Sequence, residues 1–389
     1  MRQVLKIKEN INVIDIEKLK EKYNRVYIYG TGNYANWCIR YWGEESVKKN
    51  VTAFIVSTKE NNPESLCGIP VVEVDRIEKR NTLGVVIIAI SLNNAVDAID
   101  RSKQLKFDRI ITISERMFED ICRKISSQET KAYYESMLRT PKLFKLIAIE
   151  TLNRCNGTCQ FCPVNANEEQ RPYHLMSEEL FHSIIGQLEK IKYEGQVALY
   201  CNNEPFLDKR IAQFAQYARE HLKNAYIFLF TNGTLLNEEK YVEIMPYLDS
   251  MQIDLYLKND ENEPENIERI RNVASEMGYE DRMTYFRIAP DAIRSSRAGN
   301  SPNSKVSASI EELCRLPLVE MIVRPDGKIS LCCNDALGQM TLGDLNTETI
   351  EEVWYGEKYA KIRDLAMKGR EKISLCQYCN AIHRRELDK

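Results

Sequence analysis

Ile149-Glu150-Thr151-Leu152-Asn153-Arg154-Cys155-Asn156-Gly157-Thr158-Cys159-Gln160-Phe161-Cys162-Pro163 follows on an apolar run, Leu143 to Ile149, that reads as a buried strand. Its three cysteines are spaced C-x3-C-x2-C. Three thiolates in one loop can hold three irons of a 4Fe-4S cube and leave the fourth iron open. An open iron needs an outside ligand, and one with amino and carboxylate groups suits it. The alternatives are a zinc site or three unrelated buried thiols. Zinc prefers four closed ligands, usually as paired C-x2-C units.

Downstream of this loop the chain alternates helix and strand. Ser177 caps a helix whose apolar stripe runs Leu180, Phe181, Ile184, Ile185, Leu188, Ile191. Strands are expected at Val197 to Tyr200, Tyr226 to Phe230, Met251 to Leu257 and Met283 to Ile288, with helices over 209–222 and 264–277. Repeated βα units imply a parallel sheet, and their number suits a partial (β/α)6 barrel with ligands at the C-terminal strand ends. Marked loops stand at those ends: Asn202-Asn203-Glu204-Pro205, Thr231-Asn232-Gly233 and Arg297-Ala298-Gly299-Asn300.

The C-x3-C-x2-C loop, with Phe161 before its last cysteine, closely resembles the radical S-adenosylmethionine superfamily. The three loops strengthen the resemblance, which implies roles for them. Cys155, Cys159 and Cys162 hold the reducing 4Fe-4S cluster. Glu204, with Asn203, stands where the family has Gly-Gly-Glu-Pro and holds the amino group of S-adenosylmethionine. Asn232 and Gly233 resemble the contact to its ribose. Arg297 meets its carboxylate or a substrate anion. Both family glycines are asparagine here, a residue that tolerates left-handed angles. His174 is a candidate by its nearness in sequence to the cysteine loop, and Tyr200 and Tyr256 fall on barrel strands where they could face the cavity, with a core role the plainer reading for the tyrosines.

The last ~80 residues carry Cys314, Cys332, Cys333, Cys376 and Cys379, the first followed by a hairpin turn at Arg324 to Ser330 and the last two forming a C-x2-C pair. Cys314, Cys332, Cys376 and Cys379 make a closed set of four, enough for an auxiliary 4Fe-4S cluster or a zinc ribbon. With either Cys332 or Cys333 able to serve, the adjacent thiol is left spare. The layout resembles the SPASM/twitch domain in its one-cluster form, which some cyclitol dehydrogenases share.

Residues 1–125 read as a unit of their own. Val26-Tyr27-Ile28-Tyr29 is a strand, and Gly30-Thr31-Gly32-Asn33-Tyr34-Ala35 opens a helix as the G-x-G-x-x-A form of a phosphate-binding turn. Further strands at Val51 to Val56, Gly84 to Ile90 and Arg109 to Ile113 complete a Rossmann-like domain. Ser57 stands where a nicotinamide site wants an acid. With Cys67-Gly68-Ile69-Pro70-Val71, the segment resembles small nucleotide-sugar-binding domains; an empty scaffold is the alternative. A connector spans 126–144, its helix starting at Ser114-Glu115, interrupted at Ser126-Ser127-Gln128 and stopped by Pro141.

The barrel is expected over 145–310 and the SPASM/twitch domain over 311–389. Net charge is −3, which gives no electrostatic case for nucleic acid or an anionic membrane surface. No stretch approaches a membrane span, and the N-terminus lacks an apolar signal core, so the expected location is cytoplasmic. There, twelve cysteines are metal ligands rather than disulfides, with Cys38, Cys67 and Cys122 as packing thiols. The expected activity is abstraction of a hydrogen atom from a carbohydrate or cyclitol, perhaps nucleotide-linked, ending in dehydrogenation or epimerisation. A flavodoxin- or ferredoxin-like protein supplies the electron. Cys201 and Cys333 are the unassigned thiols able to return a hydrogen atom. Peptide maturation is the runner-up, and a non-catalytic nucleotide-sugar-binding protein with structural zinc is the reading from another class.

Overall fold

The computed structural model describes residues 14–77, 84–258 and 260–382. They divide into two compact units between Glu129 and Thr130. In the first unit, α1 (Ile16–Tyr23) is capped by the Asp15 carboxylate and leads into β1 (Val26–Tyr29). There follow α2 (Asn33–Trp42), α3 (Glu44–Asn50), β2 (Ala53–Val56), β3 (Ser65–Leu66), β4 (Ile69–Glu73), β5 (Val85–Ile88), α4 (Leu92–Gln104) and β6 (Arg109–Thr112). The sheet order is β3-β4-β2-β1-β5-β6, parallel except for the β3–β4 hairpin.

Every residue of β1 is buried because helices cover both faces. Val26 and Ile28 pack with Ala35, Cys38 and Ile39; Tyr27 and Tyr29 pack with Ala95 and Ala98. The four expected strands are present, the first over its whole expected span and the other three shorter than their apolar runs. β4 was not anticipated, since Pro70 lacks the N–H that a strand interior uses. Gly30 has φ +115°, and a Cβ there would meet the Ala89 carbonyl at 2.8 Å, so glycine is required. Cys38 and Cys122 are buried packing thiols, as expected.

α5 (Glu115–Arg139) corrects the connector reading: it runs unbroken through Ser126-Ser127-Gln128. Serine costs a helix only a few tenths of a kcal/mol relative to better formers. Buried Ile121, Cys122, Ile125, Tyr134 and Met137 outweigh that.

The second unit opens with β7 (Leu146–Ile149) and continues with α6 (Glu178–Lys190), β8 (Gln196–Ala198), α7 (Ile211–His221), β9 (Tyr226–Thr231), α8 (Glu238–Ile244), β10 (Ser250–Leu255), α9 (Glu265–Glu276) and β11 (Met283–Arg287). A short α10 (Leu316–Val319) precedes β12 (Glu320–Val323), β13 (Lys328–Ser330) and β14 (Thr341–Asp344); α11 (Ile350–Tyr355) and α12 (Glu357–Lys368) close the unit. The eight strands are ordered β11-β10-β9-β8-β7-β12-β13-β14. Six are parallel, matching the expected barrel strand number, but the sixth is β12, which crosses back to pair with β7.

Side chains alternate across this sheet. Ile147, Ile149, Val197, Ile227, Leu229, Met251 and Ile253 pack with Phe181, Ile184, Phe214 and Ile270 of the helices. Leu146, Ala148, Ala198, Phe228 and Ile322 face the interior instead. Trp354 is fully buried and donates Nε1–H to the Lys142 carbonyl at 2.8 Å, fastening the last helices to the entry of β7. Among the described residues no helix is long and apolar enough to cross a membrane.

Candidate active site

The cysteine loop hangs on the C-terminal end of β7 and is shaped by its own backbone. Asn165 donates Nδ2–H to the carbonyls of Cys159 (3.0 Å) and Cys162 (2.6 Å), and Ala166 N–H reaches the Gly157 carbonyl at 2.7 Å. A Cβ on Gly157 would sit 3.4 Å from Cys155 Sγ and 3.9 Å from Cys159 Sγ, so the absence of a side chain keeps this cradle open. Burial pushes the Cys155 thiol up to about 11 and the Cys159 thiol up to about 12, and each also feels the neighbouring cysteines. Among the described residues no three His, Cys, Asp or Glu side chains converge on a single metal ion. A cube gives each thiolate its own iron and so spaces its ligands wider than one ion does. Phe161 is buried, with Tyr256 at 5.9 Å between ring centres and the Arg294 guanidinium 5.5 Å from its ring. Tyr256 faces the three cysteines, whose charge adds to burial and Asp254 in raising its pKa. Tyr200 stacks on Phe230 at 4.5 Å inside the sheet. The His174 side chain is exposed, and only its backbone joins the loop, through Asn153.

Glu204 is 1% exposed. Its Oε1 accepts from Phe206 N (3.1 Å) and Thr231 Oγ1 (2.8 Å), and its Oε2 from Asn232 N (2.8 Å). Three of a carboxylate's four acceptor positions are therefore filled from within the chain. Burial raises its pKa, and these donors act the other way. Asn232 in turn donates Nδ2–H to Asn156 Oδ1 at 2.8 Å, tying this loop to the cysteine loop. Gly233 has φ +74°, and a Cβ would strike Ile253 at 2.8 Å. The asparagines do not use the left-handed angles their substitution for glycine led us to expect: neither Asn202 nor Asn203 has positive φ. Asn202 serves as a hub. Its Oδ1 accepts from Arg297, and its Nδ2 donates to Cys201 Sγ at 3.3 Å and the Cys333 carbonyl at 3.2 Å. Arg297, Ala298 and Gly299 are three successive residues at positive φ, an unusual and costly run that aims Arg297 inward. Arg297 Nε and Asn203 Nδ2 are buried donors without a partner among the described residues, as expected of groups that complete their bonding on a ligand.

Two participants were not singled out in the sequence. Glu150, at the end of β7 and 2% exposed, accepts from the Asn202 backbone, and burial raises its pKa against the pull of Arg171. Arg171 pairs with Glu169 at 2.7 Å and donates to the carbonyls of Asn153 (3.0 Å), Asn202 (3.1 Å) and Ala336 (3.3 Å). It joins three loops through their backbones. A carboxylate directly after an apolar strand was a usable signal for Glu150; Arg171 carries none in its neighbours.

The C-terminal cysteines come together as well. Cys332, Cys376 and Cys379 are buried in one core cluster with Cys314 packed against it, and Cys376 feels both Cys314 and Cys379. The Tyr134 hydroxyl donates to the Cys314 carbonyl. The adjacent pair is placed differently: Cys332 is buried in that core and feels Cys314 and Cys376, whereas Cys333 is half-buried and packs against both that core and the group of Ala148, Phe228 and Cys201 inside the sheet. Cys333 also lines a cavity of about 1100 Å³, together with Phe228, Phe230, Gln252, Thr284 and Glu320.

A three-thiol loop at the end of the first strand of a largely parallel sheet, with further cysteines gathered in the same unit, is the arrangement of an iron–sulfur radical enzyme. Residues 149–298 match the Radical SAM superfamily, and residues 314–380 match SPASM, an iron-sulfur cluster-binding domain. The chain belongs to the radical SAM superfamily: it is a radical SAM enzyme with a SPASM domain, and its cofactors are 4Fe-4S clusters and S-adenosylmethionine. The S-adenosyl-L-methionine-dependent 2-deoxy-scyllo-inosamine dehydrogenase of Niallia circulans is 24% identical over 243 residues, covering 62% of this chain and 94% of that protein. The crystal structure of BtrN in complex with AdoMet and 2-DOIA has a TM-score of 0.54 at 23% identity, covering 62% of this chain and 95% of BtrN. BtrN in an open conformation gives a TM-score of 0.47 at 21% identity, covering 62% and 94%.

Proposed function

We propose that the chain takes a hydrogen atom from a carbinol carbon of a cyclitol or sugar and oxidises that carbon to a ketone. The observation that carries this reading is the second thiol set. Cys332, Cys376 and Cys379 lie in one core with Cys314 packed against it, which supports taking these four as a ligand set; a cluster held by four thiolates has no site for a ligand but can accept an electron. The substrate class follows the inosamine dehydrogenase that the chain resembles.

When bound, the reducing cluster and S-adenosylmethionine supply a 5′-deoxyadenosyl radical as the hydrogen-atom acceptor. Cys155, Cys159 and Cys162 hold that cluster. Arg297, Asn203, Asn232, Gly233 and Phe161 surround the place of S-adenosylmethionine, and Glu204 acts mainly by fixing the two loops that carry Asn203, Asn232 and Gly233. Arg171 and Glu150 hold the 202–204 loop, which Arg171 also ties to Asn153 and Ala336. The electron comes from a one-electron carrier such as flavodoxin or ferredoxin, which suits a cytoplasmic protein. In the first unit, Gly32 stands at the start of α2 with nothing within 4 Å of where a Cβ would be, leaving room for a phosphate of a nucleotide-linked substrate.

Epimerisation is the second reading, favoured by Cys201 and Cys333, two half-buried thiols outside both ligand sets. Turnover of a candidate substrate in deuterium oxide separates the readings. The ketone is two hydrogens lighter and unlabelled on carbon, whereas an epimer carries solvent deuterium that disappears in Cys201→Ala or Cys333→Ala. Deuterium moved from labelled substrate into 5′-deoxyadenosine identifies the carbon attacked.

A further inference from the structure

Arg370 opens the turn Arg370–Lys372 ahead of the C-terminal cysteine pair and is 4% exposed. Its Nε donates to the Glu312 carbonyl at 2.6 Å, and its Nη1 to the Ala381 carbonyl at 2.8 Å and to Cys379 Sγ at 3.7 Å. Its charge also acts on Cys314 and Cys376. Carbonyls and a sulfur are its partners, and no ion pair among the described residues includes it. Buried arginines elsewhere in the unit are balanced differently: Arg171 pairs with Glu169, and Arg363 lies over the Trp354 ring at 4.2 Å. A buried guanidinium without an anion is costly. Among the described residues, the anion within reach of Arg370 is the thiolate set itself.

We propose that Arg370 is the counter-cation of the auxiliary cluster, a positioning residue that raises its reduction potential so that it accepts an electron from the substrate radical. This rests on the assignment of Cys314, Cys332, Cys376 and Cys379 as its ligands. A nearby cation favours the more negative, reduced state, and an N–H directed at a ligating sulfur acts in the same sense. In the step served, the carbinol radical gives one electron to the cluster and its hydroxyl gives one proton to water, so that C–O becomes C=O.

The test uses full-length protein carrying Cys155→Ala, Cys159→Ala and Cys162→Ala, so that only the auxiliary set remains. Its potential is titrated by electron paramagnetic resonance, alone and with Arg370→Gln or Arg370→Lys added. Arg370→Gln should lower the potential by at least about 59 mV, a tenfold change in a one-electron equilibrium. Arg370→Lys should restore most of the difference, with about four irons retained in each. A parent that holds no cluster overturns the ligand assignment. Three loaded proteins of equal potential overturn the role of Arg370 and leave it as a tie between the Glu312 and Ala381 carbonyls. Should Arg370→Gln not load, the parent labelled with 15N-guanidino arginine gives the answer. Spin-echo modulation should show 15N coupled to the reduced cluster, and its absence overturns the proposal.

Discussion

Replacing Glu204 by glutamine tests whether its carboxylate serves the loops or the ligand. Glutamine keeps one oxygen. Set in place of Oε1, that oxygen retains the bonds from Phe206 N and Thr231 Oγ1. The new NH2 then faces the Asn232 N–H, whose 2.8 Å bond to Oε2 is lost and replaced by two opposed donors. A hydrogen bond to a charged acceptor contributes about 1.5–3 kcal/mol. At 1.4 kcal/mol per tenfold, protection of the Asn232 amide from hydrogen exchange should fall by about 10- to 150-fold. Thr231→Val removes a second donor to the same carboxylate, and a double-mutant cycle should return a coupling of about 0.5–3 kcal/mol. Binding of S-adenosylmethionine should weaken by no more than the loop does, since the loop is what fails. If exchange at Asn232 is unchanged while binding weakens more than tenfold, the carboxylate contacts the ligand directly and the reasoning is refuted.

Anaerobically reconstituted protein should hold about eight irons, and the Cys155/Cys159/Cys162→Ala variant about four, by iron and sulfide analysis. Cys332→Ala should lose about four irons whereas Cys333→Ala keeps about eight, because Cys332 is buried and feels Cys376, whereas Cys333 is half-buried and also packs against Ala148 and Phe228 inside the sheet. Burial pushes Glu169 upward, but Arg171 more than reverses it, so its folded pKa lies below the ordinary 4.5. The pair's stabilisation is therefore complete above that value and lost as pH falls through the depressed one. Glu169→Gln should flatten the acid side of the urea-midpoint profile; an unchanged acid slope would assign the loss to other carboxylates. Gly32→Val should raise KM for a nucleotide-linked substrate without altering uncoupled cleavage of S-adenosylmethionine; equal KM values would leave the first unit a scaffold.

The cysteine loop and the run of βα units were legible because both are local: ligand spacing lies within a few residues, and short apolar runs between helical stripes repeat a single pattern. Three features lay beyond local reading. β12 has only four residues, and its partner β7 is far away in sequence, so nothing in Glu320–Val323 announces its place beside Leu146–Ile149. Cys332 and Cys333 are indistinguishable as letters, and only their surroundings separate them. Arg171 acts through carbonyls, which belong to every residue, so the side chains around it hold no trace of its job. The uninterrupted α5 is a fourth case, where burial along one stripe overrode a weak local signal at Ser126-Ser127.

The pairing of β12 with β7 bears on how the protein is made. Translation delivers β7 early, yet one of its edges stays open until Glu320–Val323 has left the ribosome. Unpaired strand edges adhere to one another, and distant pairings close slowly. The first unit can settle while synthesis continues, but the second must wait, guarded by chaperones, for nearly its whole length. The bond from Arg171 to the Ala336 carbonyl likewise cannot form before that late segment arrives. Iron should therefore enter a finished chain rather than a growing one, and a transcript cut short before Glu320 should yield aggregate instead of a smaller enzyme with a single cluster.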